Sequence, residues 1–111
     1  MDFTISYYSE AVQTDILGLP PSLLARYISL TDRMELHGPN LGEPHTQAFG
    51  EGLFELRLKG AEGIARVFYC TLVGRRIVML HGFIKKSQKT PLNERRIAET
   101  RMKEIKHADS R

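Results

Sequence analysis

The sequence predicts one α+β domain across residues 1–111: an N-terminal strand, two helices, an antiparallel three-stranded meander joined by the N-terminal strand, and a C-terminal helix. Three observations lead there. Leu23, Tyr27, Leu30 and Met34 recur at helical spacings of four, three and four. After Gly52 the period changes to two, with Phe54, Leu56 and Leu58 alternating with Glu55, Arg57 and Lys59. The chain then closes on Thr90-Pro91, a helix start, followed by a charged stretch with an apolar side.

Taken in order, Asp2 to Tyr8 alternates Phe3, Ile5 and Tyr7 with Thr4, Ser6 and Tyr8, the pattern of a strand. Ser9 is placed to cap a short helix carrying Val12, Ile16 and Leu17, which Gly18 and Pro20 stop. Pro21-Ser22 opens the second helix and His37-Gly38-Pro39 ends it. From Gly38 to Gly52 four glycines and two prolines interrupt any period, so a long loop is expected there. The segments Leu53–Lys59, Ile64–Val73 and Arg76–Ile84 follow as the meander, separated by turns at Gly60–Gly63 and Gly74-Arg75. In the last helix, expected to run to about Ala108, Ile97, Ala98, Met102 and Ile105 fall on one side; Arg95, Arg96, Lys103 and Lys106 fall on the other.

Composition narrows the functions. A chain of 111 residues with 41% hydrophobic side chains can build a core without cross-links, and its one cysteine, Cys70, excludes an internal disulfide framework. Neither a signal peptide nor a membrane span is readable, so the cytoplasm is the expected compartment and no membrane partner is expected. The four histidines lack a short paired spacing, and phosphate-loop, dinucleotide and serine-hydrolase motifs are missing. No metal and no cofactor are expected. The net charge is +3, but it is unevenly placed. Residues 1–52 hold two basic and seven acidic side chains, a balance of −5; residues 53–111 hold fourteen and six, a balance of +8. A polyanion is therefore expected to meet the C-terminal half.

Within that half, Arg57 falls on the polar side of the first meander strand, and Arg66 interrupts an apolar strand in Ile64-Ala65-Arg66-Val67-Phe68-Tyr69. A guanidinium there needs a partner: Glu55 across the strands, or a phosphate on the open face of the sheet. Lys85, Lys86 and Lys89 then cluster between a strand end and a helix N-terminus, where anions are favoured.

These residues carry a resemblance. The strings LFELRLKG, IARVFY and IVMLHGFIKKSQKTPLNERRIAETRMKEI resemble the HigB-type, phage-related branch of the RelE/ParE toxin superfamily of toxin–antitoxin systems, clearly so from Leu53 to Ile105. The resemblance implies a RelE-like fold and a type II toxin that acts as a ribosome-dependent, metal-independent mRNA endonuclease. Its implied partners are the ribosome, mRNA and a cognate antitoxin that often carries a helix-turn-helix domain. It implies catalytic roles for Arg57, Arg66, Lys85 and Lys86, with Lys59, Lys89, Arg95 and Arg96 binding RNA. Family members often place a Tyr or His near the C-terminus for proton transfer; here no Tyr follows Lys86 and the only later His is His107. Glu55, a lysine with a lowered pKa, and His81 are the candidates for that role, and His81 equally suits the core. Two other readings keep parts of this picture: a ParE-like inhibitor of DNA gyrase, and a phage-derived binding module without catalysis.

Overall fold

The computed structural model describes residues 2–85 and 91–109. Its elements are β1 (Thr4–Tyr7), α1 (Glu10–Leu17), α2 (Pro21–His37), β2 (Thr46–Gly50), β3 (Leu53–Gly60), β4 (Gly63–Leu72), β5 (Arg76–Ile84) and α3 (Leu92–Asp109). The local signals act as the chemistry requires. Ser9 accepts a hydrogen bond from the Val12 N–H at 3.2 Å, capping α1. Gly38, at φ +95°, ends α2 in a conformation that side chains avoid. Pro91 directly precedes α3 rather than occupying its first turn, and the expected cap, Thr90, lies outside the described residues.

The sheet has five strands in the order β1-β5-β4-β3-β2. β2 to β5 form an antiparallel meander, and β1 adds in parallel to β5, with Thr4 opposite Arg76 and Tyr7 opposite Met79. α1 packs beside β5 on one face of the sheet; α2 starts at the β3–β4 turn, where the Ser22 N–H donates to Glu62 Oε1 at 2.7 Å, and its C-terminal end returns to β1, where the Glu35 carbonyl accepts from the Phe3 N–H at 2.8 Å. On that face Val12 and Ile16 of α1 and Leu23, Tyr27, Leu30 and Met34 of α2 bury against Leu56, Leu58, Val67, Ile77 and Met79. On the other face, Ala98 and Met102 of α3 cover Leu53, Phe68, Cys70, Val78 and Leu80. Covering both faces explains why β4 and β5 read as nearly continuous apolar runs.

Two features differ from the sequence expectation. The stretch from Gly38 to Gly52 is not all loop: Thr46–Gly50 is an edge strand, paired Thr46 to Leu56 and Gln47 to Glu55, so the meander has four strands. Its Gly50, Glu51 and Gly52 all have positive φ, so the glycines mark a tight hairpin turn. A five-residue edge strand with one aromatic side chain carries no readable period; its hydrogen bonds to β3 create it. The second feature is a bulge in β5. Tyr69 faces Met79 but Phe68 faces His81, which leaves Leu80 as the extra residue. The Leu80 carbonyl accepts a hydrogen bond from Arg101 Nη1 of α3 at 2.7 Å.

Candidate functional site

Antiparallel pairing of β3 with β4 sets Arg57 directly opposite Arg66. Side chains two residues apart on a strand share a face, so Glu55 stands on the same side as both. Its Oε1 lies 3.6 Å from the Nε of Arg57 and 3.6 Å from the Nε of Arg66. The alternation in β3 predicts an open charged face. Instead Glu55 is 2% exposed, in a strand flanked by β2 and β4 and paired with Gln47 and Phe68; the Arg66 side chain is 13% exposed and that of Arg57 29%. The carboxylate thus lies between two guanidinium groups that would otherwise repel across the strands.

The remaining contacts hold each guanidinium at an angle. Arg57 donates through Nη1 to Glu43 Oε2 at 2.8 Å and through Nη2 to Gln47 Oε1. Arg66 donates through Nη1 to the Ala65 carbonyl at 3.3 Å. Among the described residues, neither buried Nε–H has a hydrogen-bond acceptor. Each of these Nε–H groups instead faces the Glu55 carboxylate at ion-pair distance. Burial pushes the Arg66 guanidinium pKa down, Glu55 pushes it up, and Arg57 pushes it down again. Lys85, at the end of β5, feels the same group: its pKa is lowered by desolvation and by Arg66, raised by Glu55 and lowered by Arg57.

The arginine pair opens into a cleft of about 390 Å³. Arg57, Lys59, Ile64 and Arg66 form its floor, while Pro44 and His45 from the approach to β2 and Arg26 from α2 form its walls. A shallower depression of about 310 Å³ adjoins it through Arg26 and Lys59 and continues past Ser22 and Ser29 of α2. The charged residues lining the cleft, Arg26, Arg57, Lys59 and Arg66, are all cationic, and an entering phosphate would compete with Glu43 and Gln47 for the Arg57 fork.

The structure therefore brings Arg57, Arg66 and Lys59 together, with Glu55 buried between the arginines and Lys85 within electrostatic reach. Lys86 and Lys89 lie outside the described residues. His81 does not line the cleft; its Nε2 is 2.7 Å from Glu94 Oε2 and its ring stacks on Phe83, so it ties α3 to β5. Arg95 also departs from expectation: its guanidinium lies 4.3 Å from the Phe49 ring centroid and 3.4 Å from Glu99, packing α3 onto β2. Arg96 is exposed on α3. The sequence reading missed Arg26 and His45. Both come from the half with negative balance, and no local pattern marks them, because they reach the cleft through the α2–sheet packing and the edge strand.

No curated protein matches this sequence. The fold is shared with solved structures. A double arginine-to-alanine mutant of Escherichia coli toxin RelE in the free state superposes with a TM-score of 0.66 at 9% identity, covering 91% of this chain and 98% of that one. The archaeal RelE–RelB complex from Pyrococcus horikoshii OT3 gives a TM-score of 0.56 at 19% identity, covering 76% of this chain and 96% of the matched chain. At these identities the likeness establishes a common RelE-type fold. Residues 14–103, from α1 into α3, match the family described as phage derived protein Gp49-like (DUF891), and the chain belongs to that family.

Proposed function

We propose that this protein is the toxin of a type II toxin–antitoxin pair and that it cleaves ribosome-bound mRNA through the substrate's own 2′-hydroxyl. The observation that supports this most is the cleft where Arg57 and Arg66 stand side by side with Lys59 and Arg26, on a RelE-type fold. In such a cleavage the protein has to orient the 2′-hydroxyl in line with the leaving 5′-oxygen and neutralise charge developing on the phosphate. Two guanidinium groups fixed on adjacent strands supply fixed donors for that charge. Lys59 and Arg26 extend the positive surface along the RNA backbone, and Arg96, exposed on α3, adds to it. Glu55, engaged by both arginines, acts as their spacer rather than as the proton acceptor.

The partner we propose is a cognate antitoxin, of helix-turn-helix type, whose acidic segment covers the cleft; the archaeal neighbour is a RelE–RelB complex. The protein acts in the cytoplasm on this reading. The test is induced expression followed by primer extension on ribosome-bound mRNA, with Arg66→Ala beside the wild type. Growth arrest with new mRNA 5′ ends that the variant fails to produce supports the proposal. Arrest without mRNA cleavage but with altered DNA supercoiling favours the gyrase-inhibitor reading, and absence of arrest favours a binding module.

A further inference from the structure

Cleavage through the 2′-hydroxyl requires two proton transfers on opposite sides of phosphorus: one removes the hydroxyl proton and the other protonates the departing 5′-oxygen. The arginines that floor the cleft do neither, since a guanidinium stays protonated. Glu55 is buried between them, and His81 is bound to Glu94 outside the cleft. His45 is different. Its backbone is pinned on both sides, donating to the Gly42 carbonyl at 3.0 Å and accepting from the Arg57 N–H at 2.8 Å. Its ring lines the cleft with Arg57 and Arg66 and, among the described residues, makes no hydrogen bond or ion pair.

The strand order gives the arrangement a direction. His45 flanks β3 on its β2 side, opposite Arg57, while Lys85 flanks β4 on its β5 side, donating its N–H to the Ile64 carbonyl at 2.8 Å. The paired arginines lie between them, and Lys85 is offset by two residues along the strands. Three strand spacings separate the two backbones, about 14 Å. On the sheet register Lys85 falls on the same face as Arg66, opposite Ile64, which lines the cleft, and the charges of Arg66, Glu55 and Arg57 all reach its ammonium.

We infer that His45 is the base that accepts the 2′-hydroxyl proton and that Lys85, across the arginine pair, is the acid that protonates the leaving oxygen. This rests on the proposed RNA cleavage and assigns its proton transfers. The proton moves from the 2′-oxygen to an imidazole nitrogen as the 2′-oxygen bonds to phosphorus. The phosphorus–5′-oxygen bond breaks, and the Lys85 ammonium gives that oxygen a proton. The products are a 2′,3′-cyclic phosphate and a 5′-hydroxyl, with both side chains re-equilibrating through solvent. Imidazole suits the first role because it is the side chain that exchanges protons near neutral pH, and an ammonium suits the second because it has only protons to give.

The experiment measures single-turnover cleavage of ribosome-bound mRNA carrying either a normal scissile phosphate or a 5′-bridging phosphorothiolate, whose thiolate leaves without a proton. His45→Ala is expected to lower the rate by about 10²- to 10⁴-fold on both substrates, with partial recovery on adding free imidazole. Lys85→Ala is expected to be slow on the oxygen substrate and to recover most of its rate on the sulfur one. His45→Gln, compared with wild type by thermal unfolding, separates chemistry from folding. A folded His45→Gln protein cleaving at the wild-type rate overturns the assignment, as does rescue of His45→Ala by sulfur, which would make His45 the acid. Failure of Lys85→Ala to recover overturns the Lys85 half. A wild-type protein inert on both substrates refutes RNA cleavage itself, a result distinct from any failure of the variants.

Discussion

Replacing Glu55 by Gln keeps the shape of the side chain and removes the one charge that separates Arg57 from Arg66. The carboxylate oxygen stands 3.6 Å from each Nε. At an effective dielectric near 20, one unit-charge pair at that distance is worth about 4–5 kcal/mol before desolvation. The Arg57 pair is screened, because that side chain is 29% exposed, and contributes at most about 1 kcal/mol. The Arg66 pair is largely shielded from water, and losing one member of a buried pair costs about 3–5 kcal/mol when it leaves a buried charge without compensation. Arg66 keeps some compensation through the Ala65 carbonyl, so about 3 kcal/mol in total is the expected loss. In urea, with a slope near 1.5 kcal/mol/M, that shifts the unfolding midpoint down by about 2 M. The double variant Glu55→Gln with Arg66→Ala is expected to be more stable than Glu55→Gln alone, because removing one guanidinium relieves the repulsion that the first change exposed. A Glu55→Gln protein within 1 kcal/mol of wild type, or a double variant whose loss is the sum of the two singles, would refute the reading of these residues as one coupled unit.

Three further outcomes follow from named contacts. Arg66→Ala is expected to lower mRNA cleavage about a hundredfold or more while costing about 1–2 kcal/mol in urea denaturation, because Arg57 still compensates Glu55; loss of folding would instead make Arg66 structural. Gly82→Ala would place a Cβ 2.8 Å from Ile16 Cγ1, in the packed face under α1. It should destabilise by about 1–3 kcal/mol and lower Tm by roughly 5–10 °C, and an unchanged Tm would contradict that packing. Burial pushes the Cys70 thiol up to about 11 from its ordinary 9.0. The native thiol should therefore resist alkylation at pH 8 and react once the chain is unfolded. Between about pH 9 and 11 the unfolded chain releases this proton while the native state holds it, so Cys70 contributes stability below pH 9 that is lost as pH rises toward 11. Equilibrium unfolding across that range in wild type and Cys70→Ala checks the sign, since the variant should lack that part of the decline.

The sequence by itself determined the elements whose signals are local. Ser9 and Gly18 bound α1, Pro21 and Gly38 bound α2, and the two-residue period of β3 and the β-branched runs of β4 and β5 follow from side-chain geometry over neighbouring residues. It also determined that Arg57 and Arg66 share a hairpin, because a short turn at Gly60–Gly63 leaves little freedom in register. Tertiary structure decided the rest. Edge strand β2 exists because β3 offers it hydrogen bonds, and its own five residues show no period. The bulge at Leu80 places His81 against α3, and the burial of Glu55 depends on β2 and β4 flanking it. Arg26 and His45 reach the cleft only when α2 and the approach to β2 are folded against the end of β3. These are contacts between residues far apart in the chain, whose energies depend on shared burial and on charges brought within a few ångströms, and no short window of sequence contains both partners.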